Sequence, residues 1–153
     1  MITEKKKFLF NTVPDLLSKL DPATKGLWGK MNVHQMIEHM GDSLREANGK
    51  IPRTIITPAE RLQAMKDFVI SEKEFKPNTK NALMGEDPLP VRFATVEEAI
   101  ADFKNELKDF EMRYKDNPES KITNAFFGEL NYEEWIHLLH KHALHHLKQF
   151  GAI

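Results

Sequence analysis

Apolar residues recur along this chain at spacings of three and four. Met36, Ile37, Met40 and Leu44 line one face of a segment that begins near residue 33. Ala99, Phe103, Leu107 and Phe110 do the same in a later one, and Trp135, Leu138, Leu139, His142 and His146 share a face near the end. That period belongs to amphipathic helices, and the alternation expected of half-buried strands is nearly absent. Start signals precede these faces. Asn32 is followed three residues on by Gln35, Thr57 by Glu60, Thr95 by Glu98, and Asn131 by Glu134. In such a capping box, the cap side chain and the residue three on satisfy each other's unpaired amides. Pro58 suits a first helical position, and Gly49 and Gly151 fall where helices would stop.

The pattern predicts helices near residues 4–20, 33–48, 58–74, 96–114 and 132–150, with Pro14 able to kink or split the first. The Pro-rich stretch 76–94 reads equally well as a lid, a binding loop or a plain crossover. The expected fold class is all-α: a four-helix bundle with an extra short helix or long crossover, in one domain spanning 1–153.

At 153 residues the chain is long enough for one sizeable core. The absence of cysteine removes disulfides, iron–sulfur clusters, thiolate zinc sites and a cysteine nucleophile. A net charge of −1 gives no basic excess for nucleic-acid binding. No apolar stretch approaches the roughly 18 residues of a membrane span. The N-terminus, with Lys5-Lys6-Lys7 and only a short apolar patch after it, does not read as a signal peptide. A cytoplasmic protein without nucleic-acid or membrane partners is the expectation.

Of the seven histidines, five fall between His137 and His146. At about 100° per residue, taking His142 as zero, His146 lies at about 40°, Trp135 at about 20° and Gln149 at about −20°. His137 and His140 lie at about 220° and 160°, away from that face, and His145 lies on its flank at about −60°. Two imidazoles one turn apart can ligate one metal ion. On spacing and burial alone, a metal pair and a structurally satisfied pair fit equally well. The best third ligand is His39, at the edge of the core face of the second helix. His34 lies on the far side and reads as solvated. Glu38 and Asp42 read as surface charges, and Trp28, Trp135 and the phenylalanines as core.

Rival chemistries fit less well. A di-iron bundle needs two Glu-x-x-His units; the chain offers Glu134-Trp-Ile-His137, whose histidine points away from the core face. A zincin needs glutamate directly after the first histidine, where Ala143 stands. There is no phosphate-binding Gly-rich loop and no nucleophile elbow.

The run Trp28-Gly-Lys-Met-Asn-Val-His-Gln-Met-Ile-Glu-His39-Met, together with Phe127-Gly-Glu-Leu-Asn-Tyr-Glu-Glu-Trp135 leading into His142-Ala-Leu-His-His146-Leu-Lys-Gln149, resembles the DinB/YfiT-like superfamily of metal-binding bundles. The likeness is to a branch with a Trp-Gly-x-Met-Asn opening and a His-x-x-His-His-x-x-Gln close. It implies an up-down-down-up bundle holding one divalent ion per chain, zinc or nickel, on His39, His142 and His146. Gln149 matches the glutamine that closes the motif and would act by packing or by orienting a ligand. Many relatives carry Arg-Gly before that glutamine; here Leu147-Lys148 keeps the ligands but not the arginine.

Three histidines leave a coordination position for water or a thiolate. The resemblance therefore implies a metal-dependent enzyme of the thiol S-transferase or hydrolase type, acting on a small molecule or low-molecular-weight thiol, and a possible homodimer. His145 is the candidate general base. The alternative is a non-catalytic bundle of the same fold, serving as a stress-related binding module. The helical phase makes a sharp prediction. His142→Ala abolishes stoichiometric metal binding with far-UV helicity kept, whereas His140→Ala leaves metal content unchanged; equal loss in both variants would show the phase to be wrong.

Overall fold

The computed structural model describes residues 2–77, 83 and 87–153. The first helical arm runs through α1 (Ile2–Lys7), a wider π-turn (Phe8–Thr12) and α2 (Val13–Lys19). The π-turn lies directly before Pro14 and opens the backbone where the proline ring would press on the Phe10 carbonyl, so the arm is perturbed rather than broken. Helix α3 (Val33–Ala47), α4 (Leu62–Ile70), α5 (Val96–Tyr114) and α6 (Tyr132–Gln149) complete an all-α bundle. The one sheet among the described residues is a hairpin of β1 (Ile122–Asn124) and β2 (Gly128–Leu130).

Local chemistry sets most of the boundaries. The Asn32 and Asn131 side chains each accept the backbone amide three residues on, and Gln35 and Glu134 return the bond. Thr95 accepts the Glu98 amide. The Thr57 box does not form, because its hydroxyl donates instead to the Phe126 carbonyl in the hairpin. The third helix consequently opens with a 3₁₀ turn (Ala59–Arg61) and stops at Ile70, short of the expected residue 74. Gly49 and Gly151 take the positive φ of helix stops, at 78° and 67°.

The hairpin was not legible from alternation, because each strand is only three residues long. Side-chain bonds hold it: Asn124 Oδ1 accepts the Phe126 and Phe127 amides across the turn. The Ile56 amide donates to Ala125 O, and the indole of Trp135 donates to Ile122 O at 3.3 Å. Trp135 is 1% exposed and packs with Phe103, Leu107 and Phe110 in one apolar core that all the long helices share. Removing such a ring costs about 3–5 kcal/mol. Trp28, by contrast, is half-buried rather than core, for a reason that lies in the site described below.

Helices α3 and α5 also meet through charge. Arg45 reaches Asp42 at 3.0 Å, Asp102, and Glu106 at 3.5 Å, while Asn48 and Lys50 both donate to Glu106 Oε1 at 2.9 Å. Part-buried networks of this kind fix register more than they add stability. No helix among the described residues is long and apolar enough to cross a membrane.

His137 and His140 face away from the α3 side, as the helical phase requires, but they are covered there by the first arm. Lys5, itself buried, donates to His137 Nδ1 and to Glu72 Oε1, both at 3.1 Å, and Phe8 packs edge-on to His140. The His137 pKa is pushed below its ordinary 6.5, first by burial and then by the Lys5 and Lys141 charges, against the opposing pull of Glu72 and Glu133. The fold therefore favours the neutral ring. That contribution is complete above the unfolded pKa and is lost as pH falls through the lowered folded value. Urea midpoints measured between about pH 7.5 and 5 should fall less steeply for His137→Gln, whose amide oxygen still accepts from Lys5. A parallel fall in both proteins would show that the ring is not strained by protonation.

Candidate metal centre

Helix α3 contributes one imidazole and α6 two. Because the Asn32 and Asn131 caps fix where each helix starts, they also fix which residues face inward. His39 Nε2 lies 3.0 Å from His142 Nε2, which in turn lies 3.0 Å from His146 Nε2. The three rings meet edge to face, at interplanar angles of 70°, 84° and 89°. This is a group of three ligand atoms gathered in one spot, of the kind that can hold an ion.

The chemistry of the donor set fits a divalent metal. Two nitrogens bound about 2.0–2.1 Å from a tetrahedral zinc stand roughly 3.3 Å apart, close to the spacing seen here. One proton on His142 Nε2 could serve one neighbour but not both, whereas an ion satisfies all three lone pairs. Burial keeps the rings neutral and ready to ligate. It is the dominant cause that pushes His39 down to about 4 and His146 to about 3, and that holds His142 well below its ordinary 6.5.

One ring has a visible orienting chain. His146 Nδ1–H donates to Gln149 Oε1 at 2.7 Å, which leaves the lone pair on Nε2. Gln149 Nε2 donates onward to the Trp28 carbonyl at 2.9 Å, and the Leu27 amide donates to the Gln149 carbonyl at 2.7 Å. Residue 29 must be small for this to work. Gly29 has φ of 77°, and a Cβ there would sit 2.8 Å from Gln149 Nε2. The Trp-Gly pair thus braces α6: the Trp28 carbonyl holds Gln149, and the Trp28 ring lies against His145 at 5.4 Å between centroids.

The structure brings His39, His142 and His146 together and places the other histidines elsewhere. His145 sits beside His146 at 5.0 Å, edge-on to Phe75 at 5.9 Å, with a hydrogen bond to the Phe75 backbone. Burial lowers its pKa, and the Phe75 bond opposes that. His34 is half-buried rather than solvated, with Nε2 3.0 Å from Glu38 Oε2. Glu38 is not a surface charge. It is 4% exposed, and its carboxylate accepts the backbone amides of Arg92 at 2.8 Å and Phe93 at 3.0 Å. Those bonds hold its pKa down despite burial. Helical spacing could not reveal them, because the donors lie more than fifty residues away.

The family model of the DinB superfamily matches residues 15–150 of the chain. No curated protein and no solved structure matches it.

The orienting chain predicts that Gln149→Leu weakens zinc affinity by about ten- to a hundredfold in a competition titration against a chelator, with helicity retained. Gly29→Ala should act in the same direction by displacing Gln149. Unchanged affinity in both variants would show that His146 needs no partner.

Proposed function

The chain belongs to the DinB superfamily, and on that premise we propose that it is a divalent-metal-dependent enzyme of the thiol S-transferase or hydrolase type. The observation that carries this reading is the convergence of three neutral Nε2 atoms, from His39, His142 and His146, on one point. Zinc and nickel both suit an all-imidazole set. A divalent ion held there supplies Lewis acidity, lowering the proton affinity of a water or thiol that it binds and polarising an acceptor oxygen.

The remaining roles fall to the chain's own side chains. Gln149 keeps the proton of His146 on Nδ1, so that Nε2 faces the site. Three neutral imidazoles cancel none of an ion's charge, which favours an anionic ligand in its open position. His145 is the candidate for holding a proton at the reacting group. It flanks His146, and its ring is fixed by Trp28 and Phe75. A low-molecular-weight thiol or another small molecule is the proposed substrate, met as one chain or in a homodimer, in the cytoplasm.

The test is elemental analysis by mass spectrometry of tag-cleaved protein beside its His39→Ala variant. About one zinc or nickel per chain, lost in the variant, is the expected result. Metal-free protein after supplementation would overturn the enzyme reading and leave a binding module of the same fold.

A further inference from the structure

Helix α1 is held to the bundle by a different kind of contact from the rest of the first arm. Its sequence offers one apolar side chain, Ile2, which is only partly buried, and the one residue of α1 that is buried is Lys5. Beyond the start of the π-turn the character changes: Leu9, Val13 and Leu17 are 2%, 0% and 0% exposed in the core. The arm is therefore anchored by apolar packing from Leu9 onward and by polar contacts before it. The π-turn (Phe8–Thr12) stands at that boundary. A short segment with few buried apolar contacts can open locally while the rest stays folded.

The polar contacts of α1 are made by two lysines. Lys6 Nζ pairs with Glu111 at 3.1 Å and lies over the Tyr132 ring at 5.7 Å, but the paired side chains are 44% and 36% exposed, so the pair adds little. Lys5 Nζ lies 3.1 Å from both Glu72 Oε1 and His137 Nδ1. The Glu72 side chain is 86% exposed, which leaves the bond to half-buried His137 as the sheltered one. An ammonium has only donors, so His137 Nδ1 accepts and the ring is neutral, with its proton on Nε2.

A second proton on that ring turns attraction into repulsion. Nδ1 of an imidazolium carries a hydrogen and cannot accept, and its charge would sit beside the Lys5 ammonium. The groups facing His137 are Lys5 from α1, Glu72 from the segment after α4, and Glu133, His140 and Lys141 on α6 itself. Lys141 adds a like charge, and the two carboxylates that oppose it, Glu72 and Glu133, are exposed. With α1 docked, burial first and then the lysines hold the His137 pKa below its ordinary 6.5; with α1 away, the Lys5 charge and its cover are gone and the ring returns toward that value. Docking is thus at full strength above the ordinary pKa and is lost as pH falls through the lowered one.

We propose that α1 is an acid-released clasp: protonation of His137 breaks the hydrogen bond from Lys5, and residues 2–7 swing away on the π-turn while the rest of the bundle stays in place.

The chain has no cysteine, so two introduced ones give unique sites for spin labels. The test is pulsed electron–electron distance measurement on full-length protein labelled at Thr3→Cys and Lys104→Cys, both exposed, at about pH 7.5 and pH 5. The expected result is one narrow distance at the higher pH and a broad second population at the lower, with the open fraction rising about tenfold. A bundle pair at Ala64→Cys and Lys104→Cys should keep its distance throughout. In the His137→Gln background the amide oxygen still accepts from Lys5 and cannot titrate, so the α1 pair should stay narrow at both pH values. In Lys5→Met the open fraction should depend on pH much less steeply. An α1 pair unchanged at pH 5 overturns the proposal, as does the same opening in His137→Gln or an equally steep dependence in Lys5→Met. Broadening of the bundle pair together with the α1 pair overturns it too, since the transition would then be global unfolding.

Discussion

Three imidazoles enclosed between amphipathic helices, His146 buried and His39 and His142 part-buried, are costly unless their ring nitrogens find partners, and much of this molecule is arranged around that constraint. His39, His142 and His146 cannot satisfy one another fully with protons, because His142 Nε2 faces both neighbours at 3.0 Å. The outer nitrogen of His146 is tied to Gln149, Gln149 to the Trp28 carbonyl, and that loop is shaped by a glycine at positive φ. A local turn four residues before the start of α3 thus orients a side chain of α6. The placement of the His146 ring depends on a chain of hydrogen bonds that crosses 121 residues of sequence.

Helix α3 does two jobs with two faces. Its apolar stripe, Met36, Ile37, Met40 and Leu44, fills the core, and His39 at the edge of the stripe reaches the site. Its polar edge carries Glu38, Asp42 and Arg45, which continue as one connected set of ion pairs into α5 on one side and the 87–93 segment on the other. Such a set adds little net stability. What it does fix is where α5 and the segment lie relative to His39. The position of that segment is therefore defined by charge pairing, while α3 itself is seated by apolar packing.

On the opposite side of α6, two buried lysines are accommodated by similar logic. Lys5 donates to His137 and Glu72, and Lys141 donates to the Ser71 carbonyl at 3.0 Å and to the Lys73 carbonyl just past the end of α4. These bonds attach the first arm and the end of α4 to α6. Phe75, four residues beyond Ser71, then comes to rest on His145. The groups that hold the bundle together and the groups that shape the site are thus neighbours on one helix, separated only by the face they occupy.

Sequence alone determined what depends on local spacing. The helical period and the Asn32, Thr95 and Asn131 caps placed α3, α5 and α6 to within a residue or two, because caps act over three residues and amphipathic stripes over two turns. The same phase separated His142 and His146 from His137 and His140, and the motif pointed to Gln149. Tertiary structure decided what depends on partners far along the chain. It took Thr57 from its cap to the hairpin, and it buried Glu38 under the Arg92 and Phe93 amides. It brought Trp28 out of the core to serve Gln149 and covered His137 with Lys5. The 78–82 and 84–86 parts of the long Pro-rich connection lie outside the described residues. Periodicity states which face a side chain occupies; only the packed chain states what that face meets, because long-range donors and acceptors leave no local signal.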